Sequence, residues 1–290
     1  VLHTNNLSGL SISAWHAAKS HRNDMRIVHT LRDYYLLCPA TSMFKNGQQC
    51  ENRCIECKAL SKPKEKSTEL VDIVVGNSKY ILDTHTQYGL FKKSKKKVIY
   101  NAYKPKSTKE PQQHNITKIG YIGRIAKTKG IEVLIGAIEH LRNQGSKKLE
   151  LIIAGTGEPS YIEDLKRKIG GMPTTFLGQV PADEFYNQVD LVVVPSLWAE
   201  PLARVLFETM AHGLPLVSSA TGGSPELVKN GETGYLYEPA HCSKSLADAI
   251  ANYLHDNAGL NRTISMNQVS ASKTFLPAHV AKKYEENYLE

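Results

Sequence analysis

No apolar run in these 290 residues approaches the ~20 needed to cross a bilayer as a helix, and no signal-peptide pattern opens the chain, so an integral membrane helix is not expected. No internal repeat is sustained, and 20 Gly and 13 Pro without a period exclude collagen-like, coiled-coil and low-complexity classes. Arginine is missing altogether between Lys58 and Lys109, and cysteine is missing from most of the chain, with four of five thiols crowded into twenty residues. The chain also lacks an initiator Met and begins at Val1 inside what reads as a strand, so the expectation is an N-terminally incomplete first domain.

What is present is globular: 41% apolar residues, 22% charged, and enough length for about two domains. The net charge of +8 is concentrated, because the segment from Lys58 to Lys109 holds thirteen Lys against four acids. A run such as Lys92 to Lys97 reads as a solvated loop, with an anionic membrane surface or nucleic acid as the sharper alternatives. The expected location is cytoplasmic, with peripheral attachment to the inner face of a membrane.

The cysteines form a C-x11-C-x3-C-x2-C pattern, Cys38, Cys50, Cys54 and Cys57, with Cys242 isolated. Four closely spaced thiols, two of them in a C-x-x-C, suit one tetrahedral ion, so a structural zinc site is expected. Two disulfides are the alternative and need an oxidising compartment; an iron–sulfur cluster is the third reading.

Short β-branched strands at 25–31, 71–75 and 98–100 alternate with helical stretches at 11–19 and 79–86, which defines a domain over 1–104 interrupted by the Cys-rich loop 38–57. Polar, proline-bearing residues 105–114 read as a linker. A second alternation follows over 115–274, with strands at 118–122, 149–154, 175–177, 191–194 and 215–218 and helices near 131–142, 161–169, 182–188 and 204–211. Near-continuous apolar strands separated by helices predict parallel sheets covered on both faces, that is, two Rossmann-like α/β domains, the first incomplete. Residues 275–290 read as a terminal helix with Val280, Tyr284 and Tyr288 on one face, in a position to cross back to the first domain.

Ligands of such sheets sit at the carboxyl ends of the strands. The first strand of the second domain runs into Gly120-Tyr121-Ile122-Gly123-Arg124, followed by Lys127, Lys129 and Gly130; glycines admit an anion to the backbone, and Arg124 and Lys129 supply positive charge, a set suited to a diphosphate. The next strand ends in Gly155-Thr156-Gly157, against which a nucleotide can lie. Glu200 and, eight residues on, Glu208 offer carboxylates to sugar or ribose hydroxyls. Thr221-Gly222-Gly223-Ser224-Pro225-Glu226 reads as a further helix start facing the same edge.

The ordered set G-x-x-G-R with K-G, G-x-G, P-S-x3-E-x7-E, G-x-P, G-G-x-P-E and G-x-x-G-Y, spanning Lys118 to Pro239, resembles the nucleotide-sugar half of retaining family 4 glycosyltransferases with the GT-B fold. The resemblance implies that Arg124 and Lys129 hold the donor diphosphate, Glu200 the transferred sugar and Glu208 the ribose, with Gly123, Gly155, Gly157, Val180, Pro201, Leu202 and Ala203 lining the donor site. Ala203 stands where many relatives carry Gly. Upstream, Asn6, Arg32 and Asp33 match the acceptor side; Arg32 stands where many relatives have His, and a guanidinium is no base near neutral pH, so no general-base role transfers. No D-x-D occurs, so no catalytic metal is expected. The implied activity is transfer of a sugar, with retention, from a nucleoside diphosphate sugar to a sugar or lipid-linked acceptor hydroxyl, in cell-surface polysaccharide or glycolipid synthesis. A nucleotide-sugar binding module without turnover is the second reading; a zinc-containing nucleic-acid binder ranks third, since it leaves the second domain unexplained and no nucleic-acid motif is present.

Overall fold

The computed structural model describes residues 1–106, 116–146, 148–255 and 259–289. The chain divides into two compact units, one made of Val1–Ala102, Trp198–Leu202 and Pro277–Glu290, the other of Tyr103–Leu197 and Ala203–Leu276. Most of the expected linker, 107–114, lies outside the described residues.

The first unit is built on a parallel sheet of β1 (Leu2–Thr4), β2 (Ile27–Leu31), β5 (Ile73–Gly76) and β6 (Lys95–Val98), in that order, with a small hairpin of β3 (Phe44–Lys45) and β4 (Gln48–Gln49) beside it. Every residue of β2 and β5 is buried, as strands covered on both faces must be. Trp15 of α1 (Ser13–His21) is fully buried and donates its indole N–H to Thr4 Oγ1 at 3.0 Å. The other face takes the C-terminal helix Pro277–Leu289, whose Val280, Tyr284 and Tyr288, spaced four apart on one side, pack on Val28, Ile73, Val75 and Ile99.

Two readings of this unit are corrected. The lysine run is not all loop: Lys95–Val98 forms β6, in register with Ile73–Gly76. An edge strand needs backbone pairing on one side only, and lysines pointing to solvent suit an edge that should not recruit another strand. The Cys-rich loop, for its part, contains the start of a helix, α2 (Ile55–Ser67), whose charged, proline-bearing sequence carries little apolar periodicity. A third helix, α3 (Lys79–Gln87), is capped by Ser78, whose hydroxyl accepts the Ile81 N–H.

The second unit has a six-stranded parallel sheet in the order β12-β11-β10-β7-β8-β9, where β7 is Thr117–Ile122, β8 Leu149–Ala154, β9 Thr174–Gly178, β10 Leu191–Val194, β11 Leu216–Ser219 and β12 Tyr235–Tyr237. Its helices are α4 (Ile131–Asn143), α5 (Pro159–Ile169), α6 (Ala182–Tyr186), α7 (Arg204–Ala211), α8 (Ser224–Leu227), α9 (Ser243–His255) and α10 (Gly259–Thr274). Alternation along β8 sends Leu151 and Ile153 into one core with Ile135, Ile138 and Ile250, and Ile152 and Ala154 into another with Phe185 and Val189. Each such fully buried side chain contributes about 1.5–3 kcal/mol of transfer free energy. This is the doubly wound order, with its reversal between β7 and β10, and it creates a crevice beyond the carboxyl ends of those two strands.

Candidate functional site

Three loops of the second unit meet beyond that strand reversal, and backbone contact holds them there. Gly130, at φ 69°, caps α4, and a Cβ on it would lie 1.9 Å from the Pro195 carbonyl oxygen after β10. The Leu197 N–H donates to Thr128 O at 2.9 Å, tying the same two loops. Gly155, at φ 132°, lies so close to the turn after β7 that a Cβ would sit 1.8 Å from Gly123 O; Gly157 bridges Ile125 in the same way. Glycine is therefore required at 130 and 155 both by conformation and by space.

On the β8 side of these loops, away from the one that follows β10, lies a cavity of about 730 Å³ lined by Arg124, Ala126 and Lys127 from the first loop, Thr156, Gly157 and Glu158 from the second, and Ser160, Tyr161 and Asp164 of α5. Arg124 is exposed at its mouth, and its carbonyl accepts the Tyr121 hydroxyl at 2.7 Å, which fixes the turn. Lys129 ends a short 3₁₀ turn, Lys127–Lys129, next to Gly130 and is not among the cavity's lining residues; Lys127 is. Val180 packs half-buried with Ile122 and Leu177 against the core below. The helix start expected at Ser224 exists but is a single turn of four residues, too short to offer an anion site.

Glu208 does not lie on a solvated helix face. Its side chain is 7% exposed, with one carboxylate oxygen taking the Arg204 guanidinium at 2.6 Å and the other accepting the Tyr186 hydroxyl at 3.1 Å. Tyr186 stacks on the buried His212 at 4.5 Å between centroids, and His212 Nε2 is 3.0 Å from the Tyr103 hydroxyl and 3.3 Å from Asp183. Burial, then the Glu208 charge, pushes the Tyr186 hydroxyl well above its ordinary pKa; burial pulls His212 down despite Asp183, so the imidazole is a neutral hydrogen-bonding member of this group. Arg204 was visible in the sequence as a cation four residues before Glu208; Tyr186 and His212 carried no such signal. Ala203 is the buried N-cap of α7.

Glu200, Pro201 and Leu202 belong to the five-residue strap 198–202 of the first unit. The strap is anchored there by three hydrogen bonds: Tyr34 OH to Ala199 O at 2.5 Å, the Ala199 N–H to Gln49 Oε1 at 2.9 Å, and Ser78 OH to Pro201 O at 2.5 Å. Burial, Tyr80 and the Glu200 carboxylate hold the Tyr34 hydroxyl protonated far above the ordinary tyrosine range. On the same unit Arg32 donates to Asn5 Oδ1 at 3.1 Å and to Asn101 Oδ1. Asp33 accepts the Tyr35 N–H at 2.8 Å, and burial raises its carboxyl above the usual carboxylate range against the pull of that bond and of Lys64. Asn6 is exposed and accepts the Ser8 N–H in an Asx turn at 2.7 Å, apart from the Arg32 group's own bonds. Gln49, Tyr34 and Asn101 were not foreseen.

The structural zinc site is not supported. Cys38, Cys50, Cys54 and Cys57 are all free thiols, and among the described residues no three His, Cys, Asp or Glu side chains converge as a metal ion needs. The sulfurs are neighbours with divided duties: Cys38 is buried in the core, Cys50 and Cys57 pack against it, and exposed Cys54 caps α2 by accepting the Cys57 N–H at 3.5 Å. Burial raises the Cys50 thiol, and burial with the Cys54 and Cys38 thiols pushes Cys57 up to about 12, whereas the Cys57 N–H lowers Cys54.

Residues 116–256 match the family described as Glycosyl transferases group 1. Among curated proteins, the chain is 34% identical over 227 residues to an uncharacterized 42.6 kDa protein in the cps region of Klebsiella pneumoniae, covering 78% of this chain and 59% of that protein. It is 29% identical to spore coat protein SA of Bacillus subtilis, covering 74% and 65%, and 32% identical to a D-inositol 3-phosphate glycosyltransferase of Corynebacterium aurimucosum, covering 59% and 42%. The chain thus spans less than two thirds of the length of these relatives. Among solved structures, Anabaena Alr3699/HepE in complex with UDP superposes with a TM-score of 0.81 at 23% identity, covering 99% of this chain and 77% of that one. The sucrose-phosphate synthase of Thermosynechococcus elongatus gives 0.77 at 22% identity, covering 99% and 72%. At these identities the likeness is one of fold.

Proposed function

We propose that this chain, whose residues 116–256 match the family described as Glycosyl transferases group 1 and whose fold is of the GT-B type, binds a nucleoside diphosphate sugar on its second unit and serves transfer of that sugar, with retention, to an acceptor hydroxyl. The observation that carries this reading is the cavity of about 730 Å³ beyond the carboxyl ends of β7 and β8, where Arg124, Lys127 and the backbone of the Gly157 turn offer positive charge and close approach to a diphosphate, beside Glu158, Tyr161 and Asp164. A UDP complex of the similar HepE fold supports the choice of ligand class.

In this reading Arg124 and Lys129 neutralise charge that grows on the departing diphosphate, and binding energy is spent on position and electrostatics. Lys127 joins them as a cavity residue. Glu208, already desolvated and oriented by Arg204 and Tyr186, receives the ribose hydroxyls. Glu200 receives hydroxyls of the transferred sugar, on a strap whose backbone Tyr34, Gln49 and Ser78 hold still. Gly123, Gly155, Gly157, Val180, Pro201, Leu202 and Ala203 line the donor. Arg32, with Asp33 and Asn6, serves the acceptor side as a binder of hydroxyl or phosphate oxygens. The chemistry needs no protein nucleophile, since attack from the face the leaving group vacates retains configuration and the phosphate takes the acceptor proton.

The acceptor in this reading is a sugar or lipid-linked hydroxyl of cell-surface polysaccharide or glycolipid synthesis. Exposed Lys92, Lys93, Lys95 and Lys96 on and beside edge strand β6 favour a transient seat on an anionic membrane surface. The test is transfer itself: with nucleotide sugars and a panel of acceptors, product of unchanged anomeric configuration by NMR supports the proposal. Inverted product, or donor consumption that Glu200→Ala leaves intact, contradicts it.

A further inference from the structure

The C-x-x-C at the head of α2 has an arrangement that the sugar-transfer reading does not use. Cys54 is the N-cap of a thirteen-residue helix, in extended conformation at φ −66° and ψ 172°, so its sulfur faces the unpaired amides of the first turn and accepts the Cys57 N–H at 3.5 Å. Three residues on, the Cys57 side chain lies on the same helix side and has the Cys54 and Cys38 thiols as partners. Exposure grades the three: Cys54 is open to solvent, Cys57 half-buried, Cys38 buried.

We propose that Cys54 and Cys57 are a reversible dithiol–disulfide pair that exchanges with low-molecular-weight disulfides, Cys54 attacking and Cys57 resolving. The thiolate of Cys54 attacks one sulfur of the small disulfide; a bond forms from Cys54 to that sulfur, and the other half leaves as a thiolate. Cys57 gives its proton to the departing thiolate and attacks the Cys54 sulfur, closing the intrachain disulfide and releasing the second half as a thiolate that takes up the proton lost from Cys54. Two electrons and two protons pass from the protein to one small disulfide, which becomes two thiols. The helix start favours the thiolate at Cys54, where attack begins, while the sheltered Cys57 stays a thiol until the mixed disulfide is next to it.

The test uses the whole chain, reduced, freed of reductant, equilibrated against a series of glutathione to glutathione-disulfide ratios, quenched in acid, alkylated and digested with trypsin. The peptide Cys54-Ile55-Glu56-Cys57-Lys58 should appear unalkylated and two hydrogens lighter at oxidising ratios, and return on reduction. In the reduced chain Cys54 should alkylate at least about tenfold faster than Cys38. Cys57→Ser should hold glutathione on Cys54, and Cys54→Ser, which keeps a capping oxygen for α2, should leave Cys57 unmodified. The proposal is overturned if both cysteines of the peptide stay alkylatable at every ratio, if Cys57 pairs with Cys38 or Cys50 instead, or if the thiols react only after a chelator is added, which would mean that a metal holds them.

Discussion

Around the strand ends of the second unit the decisive contacts are between backbones; in the core of the first they are between side chains. Gly130, Gly155 and Gly157 each have a carbonyl oxygen about where a Cβ would go, although Gly145, Gly170, Gly171, Gly178 and Gly231 of the same unit, like Gly9 and Gly47 of the first, have nothing within 4 Å, and Gly76 of the first unit is crowded like the strand-end glycines. The first unit instead buries His29, His85 and Trp15 together, with His29 bonded to Thr4 and stacked on Phe91, and carries four thiols between Cys38 and the first turn of α2. A backbone-built site leaves room for a ligand to meet amides and a few charged side chains. A side-chain-built core makes its unit answer to protons and oxidants.

The largest effect that could break this comparison is steric. Gly155→Ala puts a methyl into the Gly123 carbonyl at a φ that L-residues avoid, and denaturant titration should show a loss of about 3 kcal/mol or more; Gly47→Ala should cost only about 1 kcal/mol. Similar losses at the two positions would mean that the loop contact is not what fixes the site. Next is pH. Burial lowers His29 to about 3 and His85 to about 4 from an ordinary 6.5, so below pH 6.5 the unfolded chain takes up protons that the folded one refuses. Stability should therefore fall with acidification by about 1.4 kcal/mol per pH unit for each imidazole, until pH nears their folded values. Replacing His85 with Leu should flatten that slope, and an unchanged slope would show that other groups set it.

A smaller, local effect separates the two carboxylates. Glu208→Ala should weaken nucleoside diphosphate binding by about 1.5–3 kcal/mol, while Glu200→Ala leaves bare nucleotide binding in place and removes transfer. Equal effects on bare nucleotide would undo the assignment. Smallest is the lysine edge: changing Lys95 and Lys96 to Gln should reduce co-sedimentation with anionic vesicles by at most about 1 kcal/mol per lysine, and salt should weaken it in the same way. Sedimentation indifferent to lipid charge would remove the membrane seat.

The same contrast explains what could be read from the sequence. Strands such as Leu149–Ala154 and Leu191–Val194 are buried on both faces, so their composition alone announces them, and the glycines at the ends of β7 and β8 mark the loops that meet there. β12 was missed because Tyr235–Tyr237 is three residues long, and α9 because it follows a polar turn. The strand expected buried at 98–100 is β6, Lys95–Val98, starting three residues earlier and mostly exposed: its lysines hid its start, since backbone pairing along one edge leaves little trace in side-chain pattern. Among site residues, the partners that share Glu208's burial come from α6 and α7, and only Arg204 stood at a spacing that could reveal it. The zinc reading finds no support for a related reason: spacing brings thiols into one neighbourhood, but Cys54 caps a helix and Cys38 lies in the core.

Isothermal titration of the whole chain with a panel of nucleoside diphosphates, UDP among them, decides whether the second unit is a donor site. Saturable binding of at least one is expected, weakened about tenfold or more by Arg124→Ala, as loss of a charge-assisted hydrogen bond requires. Binding of none of them, or equal binding by the Arg124→Ala chain, would contradict that reading.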